Sequence, residues 1–224
     1  MFPIGDTEVR GAGPGIATIA FIAINVLVFL FQLTLSQSGL ESFIQQYGVV
    51  PAEIQDGNQL YSLITSMFLH GGWIHLIGNM LFLWVFGDNV EAVLGKVMYA
   101  VFYLAGGLAA SAAHILFNAG STVPSIGASG AVAAILGAYI VMFPRSQVKL
   151  LVLARRAGVT RTSALVFLGI WFVTQLFNGI ASIGVETAQT SGVAFWAHVG
   201  GFVFGLLVGF LMKDRATNLQ FESI

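Results

Sequence analysis

The sequence predicts an all-α membrane protein, a bundle of six transmembrane helices with an interfacial outer loop between the first and second. Three observations carry that prediction. Of the 224 residues, 57% are hydrophobic and 8% are charged, whereas soluble domains carry about a quarter charged residues. Apolar runs recur that reach the roughly 20 helical residues needed to cross a hydrocarbon core about 30 Å thick. The nine lysines and arginines fall only into alternate connections between these runs.

The first run, residues 16–35, is too long for a signal-peptide core of about 7–15 residues and has only Arg10 as a basic flank, so it is expected to be a helix. The connection that follows, 36–72, places Leu60, Leu63, Ile64, Met67 and Phe68 at helical spacing, with Gln59, Ser62, Thr65 and Ser66 opposite. That pattern predicts a short amphipathic helix resting in the interface or on the bundle rather than crossing the membrane. Gly71-Gly72 then turns the chain into the second span, 73–94, and the remaining spans are expected at 97–117, 126–143, 163–183 and 193–212. One membrane domain, 16–212, is thus expected between a short N-terminus, 1–15, and a C-terminal tail, 213–224.

Basic residues are retained in cytoplasmic loops. Arg10 precedes the first span, Lys96 separates the second and third, Arg145, Lys149, Arg155, Arg156 and Arg161 separate the fourth and fifth, and Lys213 and Arg215 follow the sixth. Losing or adding one span would scatter these bases over both sides. The expected arrangement is a multi-pass protein of the cell membrane with both termini cytoplasmic.

Several classes are set aside at this level. The absence of cysteine excludes disulfides, thiolate metal sites and a thiol nucleophile. A formal net charge of −1 without a basic stripe gives no footprint for nucleic acid. No inverted repeat with paired broken helices suggests a transporter, no H-E-x-x-H suggests a zinc protease, and no buried aspartate pair is present. Asp88 and Glu91 are expected to brace the inner end of the second helix, with Lys96 as a partner.

Polar groups inside a membrane are costly and call for a packing or a functional reason. On the expected topology the second, fourth and sixth helices all start at the outer side, and each carries polar side chains near its start: His75 and Asn79, Ser129, and His198. At about 1.5 Å per residue, Asn79 and His198 lie roughly 8–9 Å below the starts of their spans. The fourth span is short, so Ser129 can share their layer. Ser129 follows Gly127-Ala128, where glycine permits a tight turn and the helix N-terminus offers free N–H groups to a developing oxyanion. Serine needs a base within hydrogen-bond reach, and His198 could supply it. His75 and Asn79, four residues apart, share one helix face. With Asp88 and Glu91 about 13 Å or more along the helix from Asn79, a dyad is expected rather than a triad. Each feature alone also fits close helix packing or an interhelical hydrogen bond. His114 reads as a bundle-facing group bonded to a carbonyl, and His70 as a loop anchor at the outer interface.

Three stretches together resemble the rhomboid family of intramembrane proteases: Phe68-Leu69-His70-Gly71-Gly72-Trp73-Ile74-His75-Leu76-Ile77-Gly78-Asn79-Met80, Gly127-Ala128-Ser129-Gly130, and Ala197-His198-Val199-Gly200-Gly201 with Gly205 beyond. The resemblance implies a rhomboid-like bundle in which Ser129 is the nucleophile, His198 the general base and then acid, and Asn79 and His75 the oxyanion donors. Gly127, Gly130, Gly201 and Gly205 would permit close helix packing near the site. It also implies cleavage of single-span membrane proteins near their outer ends, with no cofactor, metal or ATP. A catalytically inactive relative that binds membrane proteins for quality control is the alternative. Two positions depart from the family pattern. Tyr61-Ser62 stands where many relatives have Trp-Arg, and Ala133 stands where some have a tyrosine stacked on the catalytic histidine.

Overall fold

The computed structural model of the chain describes residues 2–6, 15–152, 158–182 and 194–222. In chain order its elements are β1 (Phe2–Gly5), α1 (Ile16–Gln32), α2 (Gln37–Tyr47), α3 (Pro51–Gln55), α4 (Ser62–Thr65, continued by a 3-10 turn at Ser66–Phe68), α5 (Trp73–Leu94), α6 (Lys96–Phe117), α7 (Ser129–Met142), β2 (Gln147–Val152), β3 (Gly158–Ser163), α8 (Ala164–Ala181) and α9 (Phe195–Glu222). Among the described residues, four helices, α5, α6, α8 and α9, are long and apolar enough to cross a membrane. The chain is therefore a mostly helical, multi-pass membrane protein. The expected ends at Ile183 and Val193, and Arg10, Arg155 and Arg156, lie outside the described residues.

α1 and α7 are apolar but shorter than their expected runs, at 17 and 14 residues. Each is cut short for a local reason. α1 ends at Gln32, whose amide forms two bonds with the backbone of His70: Nε2 donates to the His70 carbonyl at 3.2 Å and Oε1 accepts from its N–H at 3.0 Å. Ahead of α7 the chain is held extended by paired backbone bonds between Val49 and Ser125, and the Gly127 N–H donates to the Ser66 carbonyl at 2.9 Å. Helix can begin only after Gly127, whose φ is +126°.

α7 is the centre of the bundle, with every residue from Gly130 to Ile140 buried. α9 packs along it through Gly201, Gly205 and Gly209, a stripe at four-residue spacing. A Cβ at Gly201 would land inside contact distance of the Gly130 carbonyl, one at Gly205 on the Ala134 carbonyl, and one at Gly209 2.9 Å from the Ala138 carbonyl. Gly137 of α7 answers against the Phe202 carbonyl. Lipid tails are as apolar as leucine, so membrane helices associate by close backbone packing, and small residues permit it. On the other side of α7, Gly130 lies against Ala110 of α6.

The structure corrects the all-α expectation. β1, β2 and β3 form an antiparallel three-stranded sheet in that order. Within the stretch read from the sequence only as a basic loop, residues 147–150 alternate between buried Val148 and Leu150 and outward Gln147 and Lys149, the period-two pattern of a half-buried strand. Residues 2–5 of the N-terminal segment pair with β2, and α9 continues past Met212 to Glu222.

Two further expectations change. The 59–68 stripe makes one helical turn and then tightens, leaving Leu60 55% and Ile64 37% exposed while Ser62 and Ser66 are buried. On the side that faces the bundle Thr65 Oγ1 donates to the Tyr47 carbonyl at 2.8 Å and the Ser66 carbonyl accepts from the Gly127 N–H at 2.9 Å, while the buried Ser62 hydroxyl has no partner among the described residues. Glu91 turns to α1 instead of Lys96. Its carboxylate accepts from the N–H groups of Ala17 and Thr18 at 2.9 and 2.8 Å and from Thr18 Oγ1 at 2.9 Å, which satisfies donors that a helix N-terminus leaves free and opposes its positive dipole. Close by, Asp6 accepts from Asn89 Nδ2 at 3.1 Å and bonds the Tyr139 hydroxyl, which lies 2.8 Å from Ser146 Oγ. These contacts gather the start of α1, the end of α5, the end of α7 and the sheet at one end of the molecule.

Candidate catalytic site

The starts of α5, α7 and α9 meet at the opposite end. Ser129 is the first residue of α7, and the preceding Ala128 offers no side-chain cap, so the first-turn N–H groups have no partner within the helix and mark its positive pole. His198 sits one turn before Gly201 on α9, so the glycine stripe that brings α9 onto α7 also carries the imidazole to the serine. His198 Nε2 lies 2.8 Å from Ser129 Oγ. Nδ1 lies 2.7 Å from Gln175 Oε1 of α8, and the Trp171 ring, one turn earlier on α8, is tilted over the imidazole with centroids 5.8 Å apart. Ala133 is buried within α7; the aromatic neighbour of His198 comes from another helix.

Asn79 and His75 reach the same region from α5 and converge on Gly127. A Cβ at Gly127 would stand 2.7 Å from His75 Nε2 and 3.7 Å from Asn79 Nδ2. Gly127 is thus required twice, by its φ and by the imidazole lying over it. It acts in the loop rather than between helices. The Gly71 N–H donates to His75 Nδ1 at 3.4 Å, which leaves Nε2 as the N–H donor facing Gly127. Asn79 Nδ2 donates an N–H to His70 Nε2 at 3.0 Å.

His70 is more than a loop anchor. It is 1% exposed, its backbone is held by Gln32, and its ring holds the Asn79 amide. Burial first, and the neighbouring His75 second, push its pKa down to about 4, offset in part by the nearby Phe68 backbone. His114 lies 3.3 Å from Asn118 Nδ2. With Ser66, Ser111, Ser125 and Ser129 it lines a cavity of about 30 Å³, polar and large enough to hold water.

Gln175, Trp171 and Gln32 were not legible as site residues. Gln175 and Trp171 share a face of α8 by their i, i+4 spacing, and a polar residue in an apolar span was the one signal that could have flagged Gln175. Tyr61 packs its ring on Tyr47 at 5.9 Å and Ser62 is fully buried, so the loop is anchored through this aromatic contact and the backbone ties to 121–127.

A helical multi-pass membrane protein with a serine and histidine in hydrogen-bond contact at a buried helix start defines a narrow class. The Rhomboid domain family matches residues 57–215, and the chain belongs to that family. It is similar to Rhomboid protease GluP of Bacillus subtilis, 34% identical over 124 residues covering 55% of this chain and 24% of the relative. It is likewise similar to RHOMBOID-like protein 2 of Arabidopsis thaliana, 32% identical over 158 residues covering 70% of this chain and 44% of the relative. Rhomboid protein 1, mitochondrial, of Saccharomyces cerevisiae is 28% identical over 211 residues, covering 90% of this chain and 56% of the relative. The matched region spans between about a quarter and a little over half of the length of these relatives.

Proposed function

We propose that this protein is an intramembrane serine endopeptidase that cleaves single-span membrane proteins near their outer ends, with Ser129 as nucleophile and His198 as general base. The observation that carries this reading is the 2.8 Å contact between Ser129 Oγ and His198 Nε2 at the N-terminus of a buried helix. As Oγ attacks the scissile carbonyl, its proton passes to Nε2, and the carbonyl electrons form an oxyanion. Asn79, His75 and the first-turn amides of α7 are the donors for that charge, each worth roughly 3–4 kcal/mol in comparable sites. His198 then gives the proton to the leaving amine, and an acyl-enzyme forms at Ser129. Water from the polar cavity, deprotonated by the same Nε2, releases the second product and restores the serine.

The proposed topology has six spans, counting the shorter α1 and α7, with the termini and the sheet in the cytoplasm of the cell and residues 16–212 as the membrane domain. Support comes from the contact network at the sheet end, which collects the ends adjoining the basic connections without reference to charge. The yeast relative is named as mitochondrial; the cell membrane is our assignment for this chain. Substrates must unwind to present a peptide bond, so weak helix formers at the cleavage region should favour cutting.

The test is incubation of the purified protein with a single-span substrate, comparing wild type with Ser129→Ala and His198→Ala. Wild type should cut and both variants should lose at least about a thousandfold in rate. Absence of cleavage by wild type, or equal cleavage by Ser129→Ala, overturns the reading; retained substrate binding in the first case would favour the inactive, binding-only alternative.

A further inference from the structure

We infer that Gln175 is the positioning residue of the catalytic histidine, fixing its tautomer and ring orientation; this rests on the proposed Ser129–His198 chemistry. The amide oxygen Oε1 can only accept a hydrogen bond, so at 2.7 Å from His198 Nδ1 it requires the proton to sit on that nitrogen. Nε2 is then left with its lone pair, and that lone pair faces Ser129 Oγ at 2.8 Å. This is the one neutral tautomer in which the imidazole can take the serine proton. With Nε2 protonated instead, the ring would donate to Oγ and could not act as a base.

The same contact serves the charged stage of the reaction. An imidazolium donates from both nitrogens, and the Gln175 carbonyl dipole is already aligned with the second one. A carboxylate at this place would do the same more strongly but would put an anion in the membrane interior, which is costly. A neutral amide orients the ring without that cost. Trp171, one turn away on α8, limits rotation of the ring from its face. Together they supply from α8 what Ala133 of α7 cannot. α8 is lightly packed, its buried residues being Ala164, Leu168 and Gly179, so the orientation of His198 depends on the seating of this helix.

The test measures Gln175→Leu and Gln175→Glu against wild type in three ways: kcat and KM on a single-span substrate, the pH dependence of kcat, and the 15N resonances of the His198 ring, with thermal unfolding to confirm that each variant folds. The other titratable groups acting on the ring, His75 and His114, are unchanged in both variants. Gln175→Leu should lower kcat by about tenfold or more with KM within about twofold, and its ring should shift from a single Nδ1–H tautomer to a mixture. Gln175→Glu should keep the tautomer, retain most of kcat at high pH and move the acid limb of the profile upward by about one pH unit, because an anion favours the imidazolium. Unchanged kcat and an unchanged tautomer in Gln175→Leu overturn the inference. If wild type cuts nothing but the tautomer still depends on Gln175, the positioning role stands and the protease reading fails.

Discussion

At the scale of single residues, Gly127 shows how one missing side chain can hold a site together. Its backbone is in a region that L residues rarely adopt, and the His75 ring occupies the place of a Cβ. Gly127→Ala must therefore displace His75 or the start of α7. Since misplacements of about 1 Å can cost a hundredfold in rate, cleavage by Gly127→Ala should fall by about a hundredfold or more while the purified variant still unfolds cooperatively; wild-type rates would show that the close approach is unimportant. His70 gives a different kind of prediction. It is held at a pKa of about 4 in the folded protein, against about 6.5 when exposed. Between those values the unfolded chain binds the extra proton, so stability rises with pH. The contribution is complete above about 6.5 and is lost as pH falls toward about 4. Thermal unfolding in detergent should show a decline across that window that is smaller in His70→Asn, and equal declines would exclude His70 as the cause.

Among elements, the α7–α9 contact decides whether the serine and histidine meet. A side chain at Gly205 would press on the Ala134 carbonyl, whereas Gly169 in α8 has open space where its Cβ would be. Gly205→Val should lower both the unfolding temperature and the cleavage rate, while Gly169→Ala should leave the rate within about twofold and hold or raise stability by about 0.5–1 kcal/mol. Similar effects for both would mean that glycine matters here only through helix propensity. The glycine spacing was legible in the sequence because Gly201 and Gly205 lie one helical turn apart. The sheet was not, since counting basic residues hid the alternation of Val148, Lys149 and Leu150. The lengths of α1 and α7 were overestimated because hydropathy does not register the Gln32–His70 or Gly127–Ser66 bonds that end or delay a helix.

For the whole molecule, the absence of cysteine in the sequence makes the proposed sidedness directly measurable. Single cysteines at Ser38 and Thr217, both exposed, should react with an impermeant maleimide from opposite sides of intact cells, Ser38→Cys from outside and Thr217→Cys only after lysis. Labelling of both from one side would break the six-span topology. The convergence of His75, Asn79, Ser129 and His198 was readable because each lies near the start of a helix facing one end of the bundle. Gln175 was not, because its partner is 23 positions away, with no local pattern joining them. The most direct test of the whole is covalent trapping with a fluorophosphonate, followed by mass spectrometry of the adduct. Ser129 should carry the label, and the rate should fall by at least about a hundredfold in His198→Ala; labelling of another residue, or labelling of Ser129 that is indifferent to His198, would contradict the proposed dyad.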